Sequence, residues 1–209
     1  MKYIIMCGGT YTRWDTPRQL LKLPSGETIV GRTIRLLREC GIRNIAISTH
    51  NPAFEQFGVP LLKHENTWVQ GKQGMWIEAF YPTDEPVCYL FGDVVYSDNA
   101  MRTIVNTPTD DIEFFASASP FDHRYIKDYC EPFGFKVGNP KKFFECLKIC
   151  KKYYELGMFE RAPIAWEVWQ VCSGGKLNFI DRNFVVISDW TCDIDSPEDL
   201  NKLNLRVHI

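Results

Sequence analysis

Several things are missing from this chain of 209 residues, and each absence removes a class of explanation. No stretch approaches the roughly 18 consecutive apolar residues that a bilayer-spanning helix needs, so no membrane role is expected. An excess of positive charge is also lacking. Lys plus Arg number 24 against 26 for Asp plus Glu, a net charge of -2, so the broad basic field of a nucleic-acid binder is absent. Eight cysteines are present, at 7, 40, 88, 130, 146, 150, 172 and 192, but no Cys-x-x-Cys and no paired zinc spacing. They read as reduced thiols of a cytoplasmic protein, with Cys146 and Cys150, one helical turn apart, as small buried hydrophobes. The four histidines, at 50, 64, 123 and 208, make neither a ligand spacing nor a nucleophilic triad. There is no internal repeat, low-complexity tract or linker-like shift in composition, and the apolar run at the N-terminus is too short for a secretory signal.

What is present is a hydrophobic fraction of 45% and an aromatic fraction of 14%, enough apolar area for one well-packed domain over residues 1–209. Strand and helix patterns alternate. Residues 2–7 read as a buried strand running into glycines. From 28 to 40, Ile29, Val30, Ile34, Leu36 and Leu37 interleave with arginines at helical spacing until Gly41. Strands are expected at 44–49, 59–62, 87–91, 112–117, 133–137 and 184–188. Helices are expected at 51–57, 74–80, 97–105, 140–153, 164–172 and 197–203. The alternation predicts an α/β fold, a single three-layer αβα domain with a mainly parallel mixed sheet.

Three places along this pattern carry chemistry. After the first strand comes Cys7-Gly8-Gly9-Thr10-Tyr11-Thr12-Arg13-Trp14, then Pro17-Arg18-Gln19-Leu20. Small residues there let backbone N–H groups approach a polyphosphate, while Arg13 and Arg18 supply charge and forked donors. The loop is neither a Walker A sequence nor a Gly-x-Gly-x-x-Gly fingerprint. The run Val87-Cys88-Tyr89-Leu90-Phe91 ends in Gly92-Asp93, a central strand delivering an acid to a sheet edge. Near the end, Asp193-Ile194-Asp195-Ser196-Pro197 precedes a helix. A hard cation such as Mg2+ takes one or two carboxylates and fills its shell with water and phosphate, so Asp93 and Asp195 are the candidate metal ligands. Asp193 is the substitute if Asp195 only caps the helix.

These segments resemble the nucleotidyltransferases of the GT-A-like fold, which include sugar-phosphate, cytidylyl and molybdopterin-guanine enzymes. Gly8, Gly9 and Arg13 fall on the family's Gly-Gly-x-Gly-x-Arg signature. Pro17 and Leu20 fall on its Pro-Lys-x-Leu element, Asp93 on its metal-binding acid, and Asp193 to Leu200 on its C-terminal signature. Tyr11 stands where the family has glycine and Arg18 where it has lysine; a guanidinium is a planar fork, an ammonium a point charge. The resemblance implies a Mg2+-dependent enzyme joining an NTP to a small phosphorylated acceptor, with release of pyrophosphate. Residues of about 1–110 would bind nucleotide and about 111–209 the acceptor. Cys7, Gly8, Gly9, Thr10, Tyr11 and Asp93 would contact the nucleotide, Gln70, Gln73 and Gly74 would read its base, and Arg13 and Arg18 would be catalytic. Arg124, Lys136 and Arg161 are the cationic candidates for the acceptor phosphate, and Lys72 for another phosphate. Two other readings share these residues: a GT-A glycosyltransferase using Asp193-x-Asp195, and a nucleotide-binding relative without turnover. The base, the acceptor and the oligomeric state are not legible.

Overall fold

The computed structural model describes residues 1–9, 15–63, 75–117, 125–177 and 183–207. Among them seven strands form one sheet in the order β3-β2-β1-β4-β7-β6-β8. They are β1 Lys2–Met6, β2 Ile45–Ser48, β3 Leu61–Leu62, β4 Val87–Phe91, β6 Ile112–Ala116, β7 Pro132–Val137 and β8 Val185–Val186. β1 lies between β2 and β4, parallel to both, with Ile4 opposite Ala46 and Tyr89. β7 alone is reversed, pairing antiparallel with β4 and β6. The sheet is thus mixed but mainly parallel, as expected. Near-continuous apolar runs form its middle because strands covered on both faces have no wet side to fill with polar residues.

Five α-helices are described: α1 Ile29–Glu39, α2 Asp98–Asn106, α3 Pro140–Glu155, α4 Ala165–Cys172 and α5 Pro197–Arg206. The α1 N-terminus is capped by Thr28 Oγ1, which accepts from Gly31 N at 3.1 Å, and Gly41 at φ +82° follows its end. Arg32 ties α1 to the start of α2, donating to Tyr96 O at 2.9 Å and to Asp98 Oδ2 at 3.1 Å. Adjacent residues of β7 show which face each helix covers, since successive strand side chains point to opposite sides. Lys136 reaches the end of α2. Phe135 packs on Phe143 of α3 with ring centroids 5.4 Å apart and stacks on Phe114 at 4.6 Å. Hence α2 covers one face and α3 the other, in three layers. On the α3 and α4 face Phe80, Tyr89, Phe114, Phe135, Phe143, Trp166 and Trp169 form a continuous aromatic core, each ring pair contributing about 0.5–1.5 kcal/mol beyond area burial.

A second, two-stranded sheet pairs β5 Val94–Val95 with β9 Cys192–Asp193, antiparallel. Neither strand is foreseen in the sequence, because two-residue strands carry no periodicity. Val95 and Cys192 make a small apolar cluster with Leu23, Ile29, Ile194 and Leu203 that holds the C-terminal segment beside the end of β4. The expected helix at 74–80 is a 3-10 helix over Trp76–Ala79, and the strands expected at 59–62 and 184–188 shorten to β3 and β8. None of the eight cysteines, all of them among the described residues, is in a disulfide, and no described helix is long and apolar enough to cross a membrane.

Candidate active site

From β1 the chain moves to β2 and β3 on one side, then returns to lay β4 on the other. The loops leaving β1 and β4 therefore diverge and open a crevice at the carboxyl ends of these neighbours, where ligands bind in open α/β sheets. Gly92 makes the close approach possible. Its N–H donates to Met6 O at 3.0 Å, and a Cβ on it would lie 2.5 Å from that oxygen and 2.7 Å from Cys7 Sγ. Gly8 lines the cleft, and Gly9 follows at φ +119°, the left-handed side that favours glycine. Cys7 contributes packing: its N–H donates to Ser48 O and its thiol is buried, which pushes that thiol well above its ordinary range, with the Asp93 charge adding to the effect. Thr10, Tyr11, Arg13, Gln70, Lys72, Gln73, Gly74 and Arg124 lie outside the described residues.

Arg18 opens a 3-10 helix, Arg18–Leu20, after Pro17, and its guanidinium joins the two predicted metal ligands. Nη2 lies 2.9 Å from Asp93 Oδ2 and Nη1 lies 2.6 Å from Asp195 Oδ1, with Ile194 O a further acceptor at 3.3 Å. Burial pushes the Asp93 carboxyl up; Arg18 pulls against it, Asp193 and Asp195 add to it, and the net is above the usual carboxylate range. For Asp195 burial also pushes up, but Lys127 and Arg18 together outweigh it and hold the carboxyl below that range. Asp195 is not the cap of α5. Ser196 accepts from Asp199 N, and Asp199 Oδ2 accepts from Ser196 N at 2.9 Å and Asp195 N at 3.1 Å, so the Asp195 side chain is left to the cleft.

Behind this pair lies a cation, Lys127, to which no motif of the sequence gives a role. The Lys127 side chain, 2% exposed, touches Asp193, Asp195 Oδ2 at 3.1 Å, Asp199 Oδ2 at 3.5 Å and Glu131 Oε1 at 3.2 Å. Burial pushes the Glu131 carboxyl up to about 10, helped by its hydrogen bond with Asp193 and that carboxylate's charge, against the pull of Lys127. Glu131 therefore keeps its proton at neutral pH. The four-residue spacing of Lys127 and Glu131 was the one local sign of this pair; their aspartate partners lie more than sixty positions away.

From Asp93 the cleft, about 510 Å³, extends toward α4. Its wall there is apolar, made by Trp76, Phe91, Ile164 and Trp166, and Trp76 packs edge-on to Phe91 at 5.3 Å. Arg161 stands at the rim with its side chain 58% exposed, steadied by Glu167 Oε1 at 2.8 Å. The expected role of Lys136 is corrected. Its ammonium is buried and donates to Ile104 O at 3.0 Å, Val105 O at 2.8 Å and Thr107 O at 2.5 Å, so it caps the end of α2 and has no donor left for an acceptor phosphate. Among the lining residues that were not anticipated are Gln19, 2% exposed with an unpartnered Oε1, and Trp76.

Among the described residues no cluster of three or more metal-ligating side chains occurs. What exists is two carboxylates, Asp93 and Asp195, meeting one cation, a hard-oxygen pair of the kind a magnesium-like ion shares with water and phosphate.

The profile of the MobA-like NTP transferase domain matches residues 3–127 of this chain, a span that includes β1, its loop, Arg18 and Asp93. Solved structures match the fold over nearly its whole length. A Bacillus anthracis protein assigned as a glucose-1-phosphate thymidylyltransferase, in complex with sucrose, gives a TM-score of 0.62 at 17% identity, covering 98% of this chain and 94% of that one. CTP:phosphocholine cytidylyltransferase from Streptococcus pneumoniae gives 0.55 at 18%, covering 98% and 97%. A Mycobacterium tuberculosis protein in complex with manganese gives 0.51 at 17%, covering 99% and 98%. At such identities the likeness is one of fold. No curated protein matches the chain.

Proposed function

The chain belongs to the MobA-like NTP transferase domain family and is a nucleotidyltransferase, and we propose that it joins the nucleotidyl group of an NTP to a small phosphorylated acceptor, releasing pyrophosphate. One observation carries this reading: Gly8, Arg18, Asp93 and Asp195 line one cleft at the ends of β1 and β4, with Arg18 joining the two aspartates, and Arg161 lines the same cleft. Nucleotide would lie on the β1 side, its phosphates against the backbone of Gly8 and Gly9 and the side chains of Arg13 and Arg18, and its base toward Gln70, Gln73 and Gly74. The acceptor would lie toward α4, its phosphate near Arg161.

An oxygen of the acceptor phosphate attacks the α-phosphorus in line. The new P–O bond forms as the bond from the α-phosphorus to its bridging oxygen breaks, and pyrophosphate departs with that electron pair. The attacking oxygen is already an anion, so no general base is needed and the protein's work is positioning and neutralisation of charge. Arg13 and Arg18 stabilise the departing pyrophosphate. Asp93 and Asp195 would hold a divalent cation, magnesium in this proposal, and the manganese complex of the Mycobacterium tuberculosis relative in fold accords with such a cation. When bound, that ion would supply a fixed positive charge to the reacting phosphates.

The test is thermal unfolding with ATP, CTP, GTP, UTP and dTTP, each with magnesium, beside nucleotide sugars, followed by pyrophosphate release with phosphorylated acceptors. One NTP at a hundred times its dissociation constant adds about 2.7 kcal/mol, about 5–10 °C. Stabilisation by nucleotide sugars alone would overturn the proposal in favour of a glycosyltransferase, and stabilisation without pyrophosphate release from any acceptor in favour of a binding module.

A further inference from the structure

The two cations of the site are held very differently. Lys127 is locked, with a side chain 2% exposed among four carboxyl groups. The Arg18 side chain is 29% exposed, and its partners Asp93 and Asp195 are 22% and 40% exposed. Its backbone is fixed by the 3-10 helix, where Leu20 N donates to Pro17 O at 2.8 Å and the next residue, Gln19, is buried. The long side chain can therefore move while its base stays. One guanidinium nitrogen serves each carboxylate, so Arg18 bridges the two and lies where a shared cation would have to lie.

Resting on the reading of Asp93 and Asp195 as the cation-binding pair, we propose that Arg18 is the counter-ion of that pair in the nucleotide-free protein. It leaves the pair only when nucleotide phosphates offer its guanidinium another anion. Lys127 holds only the far oxygen of Asp195, whereas Arg18 occupies Asp93 Oδ2 and Asp195 Oδ1, the oxygens a shared ion would take, and a divalent ion at contact distance would repel the guanidinium strongly, so Arg18 must withdraw before the ion can enter between them. A triphosphate supplies the reason to withdraw, since a guanidinium fork pairs with phosphate oxygens as readily as with carboxylate. Arg18 thereby couples the two binding events, each raising the affinity of the other by the same factor. A lysine here would carry one compact charge on a single nitrogen and could not serve both carboxylates through separate nitrogens. The replacement of the signature's lysine by Arg18 gives the pair a bridging cation of its own.

The experiment measures Mn2+ binding to the full chain without nucleotide, by loss of the free-ion paramagnetic resonance signal. The wild type, Arg18→Ala, Arg18→Lys and Arg18→Ala with Asp93→Asn are compared. The expected dissociation constant falls at least about tenfold in Arg18→Ala, falls less in Arg18→Lys, and the gain disappears in the double variant. If Arg18→Ala fails to fold, Arg18→Gln, neutral and closer in length, carries the same expectation. With the metal chelated, inorganic tripolyphosphate should raise the unfolding temperature of the wild type and not of Arg18→Ala. Mn2+ binding no tighter in the neutral variants overturns the role of Arg18 and leaves the transferase reading standing. No Mn2+ binding in any variant, together with full turnover by Asp93→Asn, overturns the cation pair and this inference with it.

Discussion

A β-carbon on Gly92 would stand 2.5 Å from the carbonyl oxygen of Met6, so β4 and β1 end side by side only because residue 92 lacks one. That contact sets the distance between the loop after β1 and Asp93. Gly92→Ala should force the strand ends apart, costing about 1–3 kcal/mol of stability as overpacking does, several degrees in Tm. Turnover should fall by more than tenfold, because small misplacements of reacting groups are expensive. Thermal unfolding and pyrophosphate release on the same preparation check both.

Glu131 gives a pH dependence with a definite sign. Its folded-state carboxyl is raised to about 10, above its ordinary value of 4.5, so between these two values the unfolded chain gives up a proton that the folded chain keeps. Stability from this group is complete below about 4.5 and is lost as pH rises toward 10. Glu131→Gln, which cannot ionise, should be more stable than wild type at pH 8 by at least about 1 kcal/mol, about 2–4 °C, with the gap narrowing at pH 5. Thermal scans across pH 5–9 measure it, and a constant gap would contradict the assignment.

Lys136 should behave as part of the scaffold. Burial pushes its ammonium below the usual range while three carbonyl oxygens accept from it, so Lys136→Met leaves the end of α2 without its cap. The expected loss is about 2–4 kcal/mol, from carbonyls left unpaired in the interior. The KM for the acceptor should stay within twofold when assayed below the lowered Tm.

Arg161 should behave in the opposite way. It is exposed at the cleft rim, where one charge-assisted hydrogen bond to an acceptor phosphate is worth about 1.5–3 kcal/mol. Arg161→Ala should raise the acceptor KM by about tenfold or more, change the KM for NTP little and leave Tm within about a degree. Steady-state kinetics with each substrate varied in turn distinguishes these effects.

The comparison of Lys136 with Arg161 shows what could be read in advance. Both are cations in the second half of the chain, and the sequence carries no mark that α2 ends beneath one and leaves the other in water. The middle of the sheet was legible because burial on both faces leaves a local trace, the unbroken apolar runs of β1 and β4. Gly8, Gly9, Arg18, Asp93 and Asp195 stood out as candidates because each lies near a strand or helix boundary with a recognisable sequence. Their meeting was not. Arg18 and Asp195 are 177 positions apart, brought together by the two-residue strands β5 and β9, too short to leave a pattern. The burial of Lys127 left no mark in the sequence for the same reason, since the aspartates that surround it lie near the C-terminus.

The assignment of Asp93 is tested by acceptor-dependent pyrophosphate release from the NTP that stabilises the fold, compared between wild type and Asp93→Asn. The substitution keeps the shape of the side chain and removes its charge. Turnover should fall by at least about a hundredfold, the scale of losing one preorganised electrostatic group, with Tm within a few degrees of wild type. An Asp93→Asn protein that folds and releases pyrophosphate at the wild-type rate would contradict the placement of the reaction at the end of β4.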